Sequence, residues 1–173
     1  MARARIPKRY NIPSASLSNC GIAGAGVKTW MESPEFESDL RAGNGRTIVG
    51  TEEEADDLFA LMARGCVLKG KAVNFTNVER LFRGGEDGEP MRDILTSDAL
   101  LFIQGFYTPD YPTAYTDAER YRIGWLIMDR LDVGLATFFR VPVPLEKCSI
   151  SQGGWWSRPL LKLISKSSPE IML

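Results

Sequence analysis

The chain has 173 residues, 44% of them apolar, which suits one globular domain with a substantial core and fits two poorly. Its charges nearly cancel, 21 Lys and Arg against 22 Asp and Glu, so the molecule as a whole is not an electrostatic nucleic-acid binder and any such role has to be local. There is no histidine, which removes histidine acid–base catalysis, Ser-His and Cys-His nucleophile pairs and most zinc sites.

Cys20, Cys66 and Cys148 lie far apart with no CxxC spacing, as expected of reduced thiols in a cytoplasmic protein. No apolar run approaches the ~20 residues of a membrane span, so no membrane partner is expected. Residues 1–18 are a basic, proline-containing arm with Arg3, Arg5, Lys8 and Arg9 ahead of Tyr10, and they show neither a helical nor a strand period. They read either as a solvated arm or as phosphate contacts to nucleic acid. A single domain is expected over 19–173. Residues 23–40 are a helix candidate with Val27, Trp30 and Met31 on one face, and 43–46 form a turn.

The stretch 45–65, GRTIVGTEEEADDLFALMARG, has the outline of a phosphate-binding strand, turn and helix with other chemistry inside it. Residues 47–49 read as a short strand. After Gly50 comes a helix whose apolar positions Ala55, Leu58, Phe59 and Met62 fall at i, i+3, i+4 and i+7. An active P-loop places glycines, a lysine and a Ser/Thr here, so that N–H groups and an ammonium meet phosphate while the hydroxyl holds magnesium. Residues 51–57 instead carry five carboxylates in seven positions, Glu53, Asp56 and Asp57 among them. Unit charges ~4 Å apart repel by ~1–4 kcal/mol at a surface site, so ATP is expected to be excluded. The same residues also describe an ordinary capped helix, with Thr51 and Glu54 as a capping box and acids complementing the helix dipole.

Residues 71–75 read as a second strand, followed by a short helix capped by Thr76 and Glu79 and ending near Phe82; 84–90 is a polar, glycine-rich loop. The run 99–103, ALLFI, has the uninterrupted apolar character of a buried parallel strand. Residues 117–131 form an amphipathic helix capped by Thr116 with Glu119, expected to bury Tyr121, Trp125, Met128 and Leu131. A strand over 135–141, a second helix over 161–164 and a last strand over 170–173 complete the alternation. About five short strands alternating with helices predict a three-layer α/β domain with a mostly parallel sheet.

The runs Ala4-Arg5-Ile6-Pro7-Lys8-Arg9-Tyr10 and Ala15-Ser16-Leu17-Ser18-Asn19 resemble the opening of the ATPase core in the DnaC/DnaI/IstB group of AAA+ helicase loaders and transposition helper ATPases. The likeness continues in order through the P-loop-like stretch, the second strand, the helix over 117–131 and the closing Ser157-Arg158. It implies a P-loop, AAA+-like domain with no lid. Where that group carries its two Walker B acids this chain has Gln104 and Gly105, with Asp110 beyond a turn; Pro142 stands at the polar sensor position, and Gly154 where an arginine-finger candidate is found. An amide cannot replace a carboxylate on a hard cation, and glycine offers no ligand. The resemblance therefore implies a pseudo-ATPase, with no cofactor, no metal and no catalytic residue.

The same resemblance implies a DNA-replication setting, and a phage-encoded accessory that binds a replicative helicase, an AAA+ loader or DNA in the bacterial host cytoplasm. The extra N-terminal helicase-binding domain of loaders is expected to be missing. Single-stranded DNA contact and self-association stay open. The alternative is a phage inhibitor that docks on a host AAA+ or replication protein without touching DNA. Adjacent tryptophans on a helix or strand point apart, so one of Trp155 and Trp156 is expected to be exposed and, with Arg158, to meet a partner; the equal alternative is that both indoles pack under the Gly153-Gly154 turn against the last helix.

Overall fold

The computed structural model describes residues 11–15, 21–51, 53–83, 92–108 and 115–173. Strands β1 (Thr47–Val49), β2 (Val73–Asn77), β3 (Leu100–Gln104), β4 (Thr137–Val141) and β5 (Glu170–Met172) form one sheet in the order β2-β3-β4-β1-β5, every pair parallel. Strands covered by helices on both faces have no solvent side, which is why TIV and LLFIQ read as continuous apolar runs.

Alternation along the strands sorts side chains into two cores. Helices α1 (Gly21–Glu32), α2 (Pro34–Arg41) and α3 (Glu53–Leu68) close one face over Ile48, Phe75, Phe102 and Phe138. Helices α4 (Val78–Arg83), α5 (Arg92–Thr96), α6 (Asp117–Asp132) and α7 (Arg158–Ser167) close the other over Val49, Ile103, Phe139 and Val141. This is the three-layer α/β domain the alternation predicts, and among the described residues no helix stands off as a lid. Ala55, Leu58, Phe59 and Met62 are buried as the period requires, and α6 opens on the expected capping box of Thr116 with Glu119.

Several local expectations are corrected. The single helix over 23–40 is two, because Pro34 disfavours a helical residue before it and Ser33 is extended, at φ −83° and ψ 159°. The cap of α4 is Asn77, whose Oδ1 accepts from Arg80 N at 2.7 Å, and not Thr76. Helix α3 is described from Glu53, and residue 52, between it and Thr51, lies outside the described residues, so the Thr51–Glu54 box is not among these corrections.

The buried face of α6 is rotated from the expected one: Leu131 is buried and Met128 packs against the core as expected, but Tyr121 and Trp125 do not. Tyr121 and Trp125 are 55% and 62% exposed, while Ile123, Gly124, Ile127, Arg130 and Leu131 face the sheet. The misleading residue is Arg130, which counts as polar in any periodicity yet is 2% exposed. Its guanidinium donates to the carbonyls of Leu95 (3.2 Å), Ser97 (2.5 Å), Ala99 and Ala136 (3.3 Å) and to the Thr137 hydroxyl (2.9 Å). Five acceptors make burial of the charge tolerable, and burial pulls its pKa down to about 10.

Candidate functional site

In a parallel sheet the carboxyl ends of the strands are where ligands bind. Three of those ends meet under the start of α3. Arg140 follows Phe138 by two residues and Gln104 follows Phe102 by two, so both point to the α3 face, at the last turn before the strands stop. Ile48 pairs with Arg140 in register, which brings the Gly50 turn alongside.

These residues form one cluster. Arg140 Nη1 donates to the Gly50 carbonyl at 2.6 Å, and its Nε lies 2.9 Å from Asp56 Oδ1. The second contact meets the distance of an ion pair but not the alignment of a hydrogen bond, so its attraction is mainly coulombic. Gln104 Nε2 donates to the same Asp56 oxygen at 3.2 Å. Arg140 is 6% exposed, whereas the Asp56 side chain is 47% exposed, so the cation is the buried partner. Burial lowers the guanidinium's pKa and Asp56 acts in the opposite direction. The turn above is tight: a methyl group at Gly50 would sit 3.2 Å from the Cβ atoms of both Ala55 and Leu173.

The structure thus brings Gly50, Asp56 and Gln104 together. Glu53 lies exposed at the first position of α3 and Asp57 in the same helix turn. Gly105 follows β3 at φ +62°, and Pro142 follows β4. Sequence reasoning missed Arg140, although a lone arginine in LATFFRV is the visible signal of a buried ion pair. Arg3, Arg5, Lys8, Arg9 and Asp110 lie outside the described residues. Among the described residues no group of His, Cys, Asp or Glu is placed to hold a metal ion.

The tryptophan expectation is overturned. Trp155 and Trp156 are 3% and 1% exposed. The segment is neither helix nor strand: the N–H groups of both residues donate to the one Cys148 carbonyl, at 3.0 and 3.1 Å, which curls the backbone and sends both indoles inward. Trp156 stacks on Phe106 at 4.5 Å and donates to the Phe106 carbonyl at 2.8 Å; Trp155 meets Tyr107 edge-on at 5.5 Å. Of the three residues only Arg158 is exposed, its Nε donating to Ser151 Oγ at 3.2 Å. Gly154 is a steric necessity, since a Cβ there would lie 2.3 Å from the Cys148 carbonyl, so this backbone has no room for an arginine at that position.

No protein-family model and no curated protein matches the chain. Solved structures do match. The crystal structure of the DnaC helicase loader superimposes with a TM-score of 0.63 over 96% of this chain and 99% of its own, at 15% identity. The crystal structure of DnaI gives 0.67 over 96% and 90%, also at 15% identity. AMPPCP-bound DnaA from Aquifex aeolicus gives 0.64 over 93% of this chain and 50% of its own, at 12% identity.

The chain has an AAA+-type P-loop fold. In AAA+ terms the cluster sits where β1 hands over to the P-loop helix, Asp56 occupying the lysine position of the GxxxxGK[ST] spacing counted from Gly50. The cluster itself has an acid on the helix and a cation on β4. No helix among the described residues is long and apolar enough to cross a membrane.

Proposed function

We propose that this AAA+-fold chain has exchanged nucleotide chemistry for an internal ion pair and works by binding. The observation that carries the reading is the Asp56–Arg140–Gln104 cluster, which spends the P-loop position on the protein's own charges. A magnesium triphosphate needs a lysine, a hydroxyl and an acid at the end of β3, and meets Asp56, Asp57 and Gln104. Among the described residues the cation of this cluster, Arg140, is buried and engaged by Gly50 and Asp56, while Glu53, Glu54, Asp56 and Asp57 all stand at the start of α3. Like charges in contact cost ~1–4 kcal/mol per pair, so repulsion exceeds any attraction left over.

The partner is read from the structural neighbours, which are a helicase loader and a replication initiator bound to single-stranded DNA. The proposed role is that of a replication accessory, encoded by a phage, that contacts a replicative helicase, an AAA+ loader or single-stranded DNA. Sedimentation of the purified chain with a purified hexameric replicative helicase, with and without oligonucleotide, tests it. Co-sedimentation in the absence of ATP is expected. Binding that requires ATP, or none to helicase, loader or oligonucleotide, contradicts the proposal.

A further inference from the structure

Helix α7 is the most basic element of the described structure. Its sequence RPLLKLISKS carries three cations and no acid, in a chain whose net charge is −1. Arg158, Lys162 and Lys166 recur every four residues, so they form one exposed row about 12 Å long at 1.5 Å rise per residue. Among the described residues none of the three pairs with a carboxylate. They edge a broad surface hollow in which Glu146 and Glu170 also stand. The opposite side of α7, with Leu160, Leu161 and Ile164, is packed into the core, so this helix has no apolar face to offer a lipid bilayer.

On the other flank of the same helix start lies an apolar groove of about 260 Å³ between α6 and α7. Its floor is Trp156, Gly124 and Leu160, and its rim carries Tyr121, Trp125 and Ile150, which are 55%, 62% and 53% exposed. Tyr121 and Trp125 are one helix turn apart, so both rings stand on one face. Aromatic faces beside an unpaired cationic row are what a single-stranded nucleic acid requires: bases stack on rings without regard to sequence, and phosphates follow the cations. A duplex keeps its base faces covered and could use only the cations.

We propose that the α6–α7 face binds single-stranded nucleic acid, with Tyr121 and Trp125 stacking bases and Arg158, Lys162 and Lys166 meeting phosphates. This rests on the reading of the chain as a replication protein that acts by binding, and names the surface that does so.

Fluorescence anisotropy with a labelled oligothymidylate, titrated over a salt series, tests it. Arg158→Gln, Lys162→Gln and Lys166→Gln combined should weaken binding at least tenfold and flatten the salt slope by about 2, at ~0.7 per phosphate contact. Trp125→Ala should weaken binding about tenfold with an unchanged slope, as expected for loss of one stacked base, and Trp125→Phe should restore most of it. Lys28→Gln, on the opposite layer, should change nothing. All these positions are exposed, and Lys162→Gln alone keeps the test available if the triple variant does not fold.

Unchanged affinity in the triple variant, equal affinity for duplex, or preferential capture of phosphatidylglycerol vesicles each overturns the assignment. Absence of oligonucleotide binding by the wild type overturns it too. Helicase binding without ATP would then leave the broader reading standing, whereas loss of both would remove the two together.

Discussion

Asp56 Oδ1 lies 2.9 Å from Arg140 Nε and accepts from Gln104 Nε2 at 3.2 Å, so a single half-exposed carboxylate on α3 ties down the ends of β3 and β4. Arg140 extends the tie to β1 through the Gly50 carbonyl. Four elements, α3, β1, β3 and β4, are thus joined through one cluster.

Replacing Arg140 should therefore cost more than replacing Asp56. Arg140→Ala leaves a cavity and strips the Gly50 carbonyl of its donor, for a loss of roughly 2–4 kcal/mol in urea unfolding. Asp56→Asn keeps an acceptor beside the guanidinium and should cost about 1 kcal/mol. Asp56→Lys, which restores the P-loop lysine, places two cations in contact and should lower stability without creating ATP binding. A more stable lysine variant would refute the cluster's role.

The Gly154 position tolerates no side chain. Gly154→Ala drives a methyl group into the Cys148 carbonyl, which must move together with the two tryptophan N–H groups bonded to it. A loss of about 2–4 kcal/mol, with a red-shifted tryptophan emission as the indoles become wet, is expected. Wild-type melting of this variant would show that the turn is not as tight as described.

Arg130 anchors the segment leading into β3. Arg130→Leu takes the guanidinium donor from the carbonyls of Leu95, Ser97 and Ala99, while Ala136 keeps the Leu101 N–H, at a cost of about 3 kcal/mol or more. Amide exchange should accelerate first around β3, and Arg130→Lys should recover only part of the loss, because an ammonium cannot span the same acceptors.

Burial pushes the thiols of Cys66 and Cys148 from their ordinary 9.0 up to about 12. Above pH 9 the unfolded chain releases those protons and the folded chain does not, so stability is whole below that pH and falls as pH rises toward 12. By pH 10 the loss should be about 1.4 kcal/mol for each thiol. Burial raises Tyr107 and Tyr115 in the same sense, while the depressed Arg130 acts oppositely only above about pH 10. Melting temperature between pH 9 and pH 10 reads the effect, and neither thiol should react with a disulfide reagent until the protein unfolds. A flat profile contradicts it.

The fold was legible because its signals are local: apolar runs of strand length, the Thr116–Glu119 capping box, and the period that buries Ala55, Leu58, Phe59 and Met62. What escaped were residues whose environment is made by distant chain. Arg130 and Arg140 are buried by acceptors as far as 31–35 and 84–90 positions away in sequence, which hydropathy does not register, and on α6 it misplaced Tyr121 and Trp125 while placing Leu131 and Met128 on the core side. Trp155 and Trp156 were misjudged because alternation holds only in regular structure, and their backbone follows a tight turn onto Cys148. At the candidate site Gly50 and Asp56 could be picked out from P-loop spacing and Gln104 from the resemblance to helicase loaders, but their link to one another needed Arg140.

The proposal that the Asp56–Arg140 pair closes the P-loop position to nucleotide stands or falls on nucleotide binding. Isothermal calorimetry of the wild-type chain with millimolar Mg-ATP and Mg-ADP addresses it most directly. No saturable heat and no change in melting temperature are expected with either nucleotide. A saturable heat with a micromolar dissociation constant, accompanied by thermal stabilisation, would contradict it.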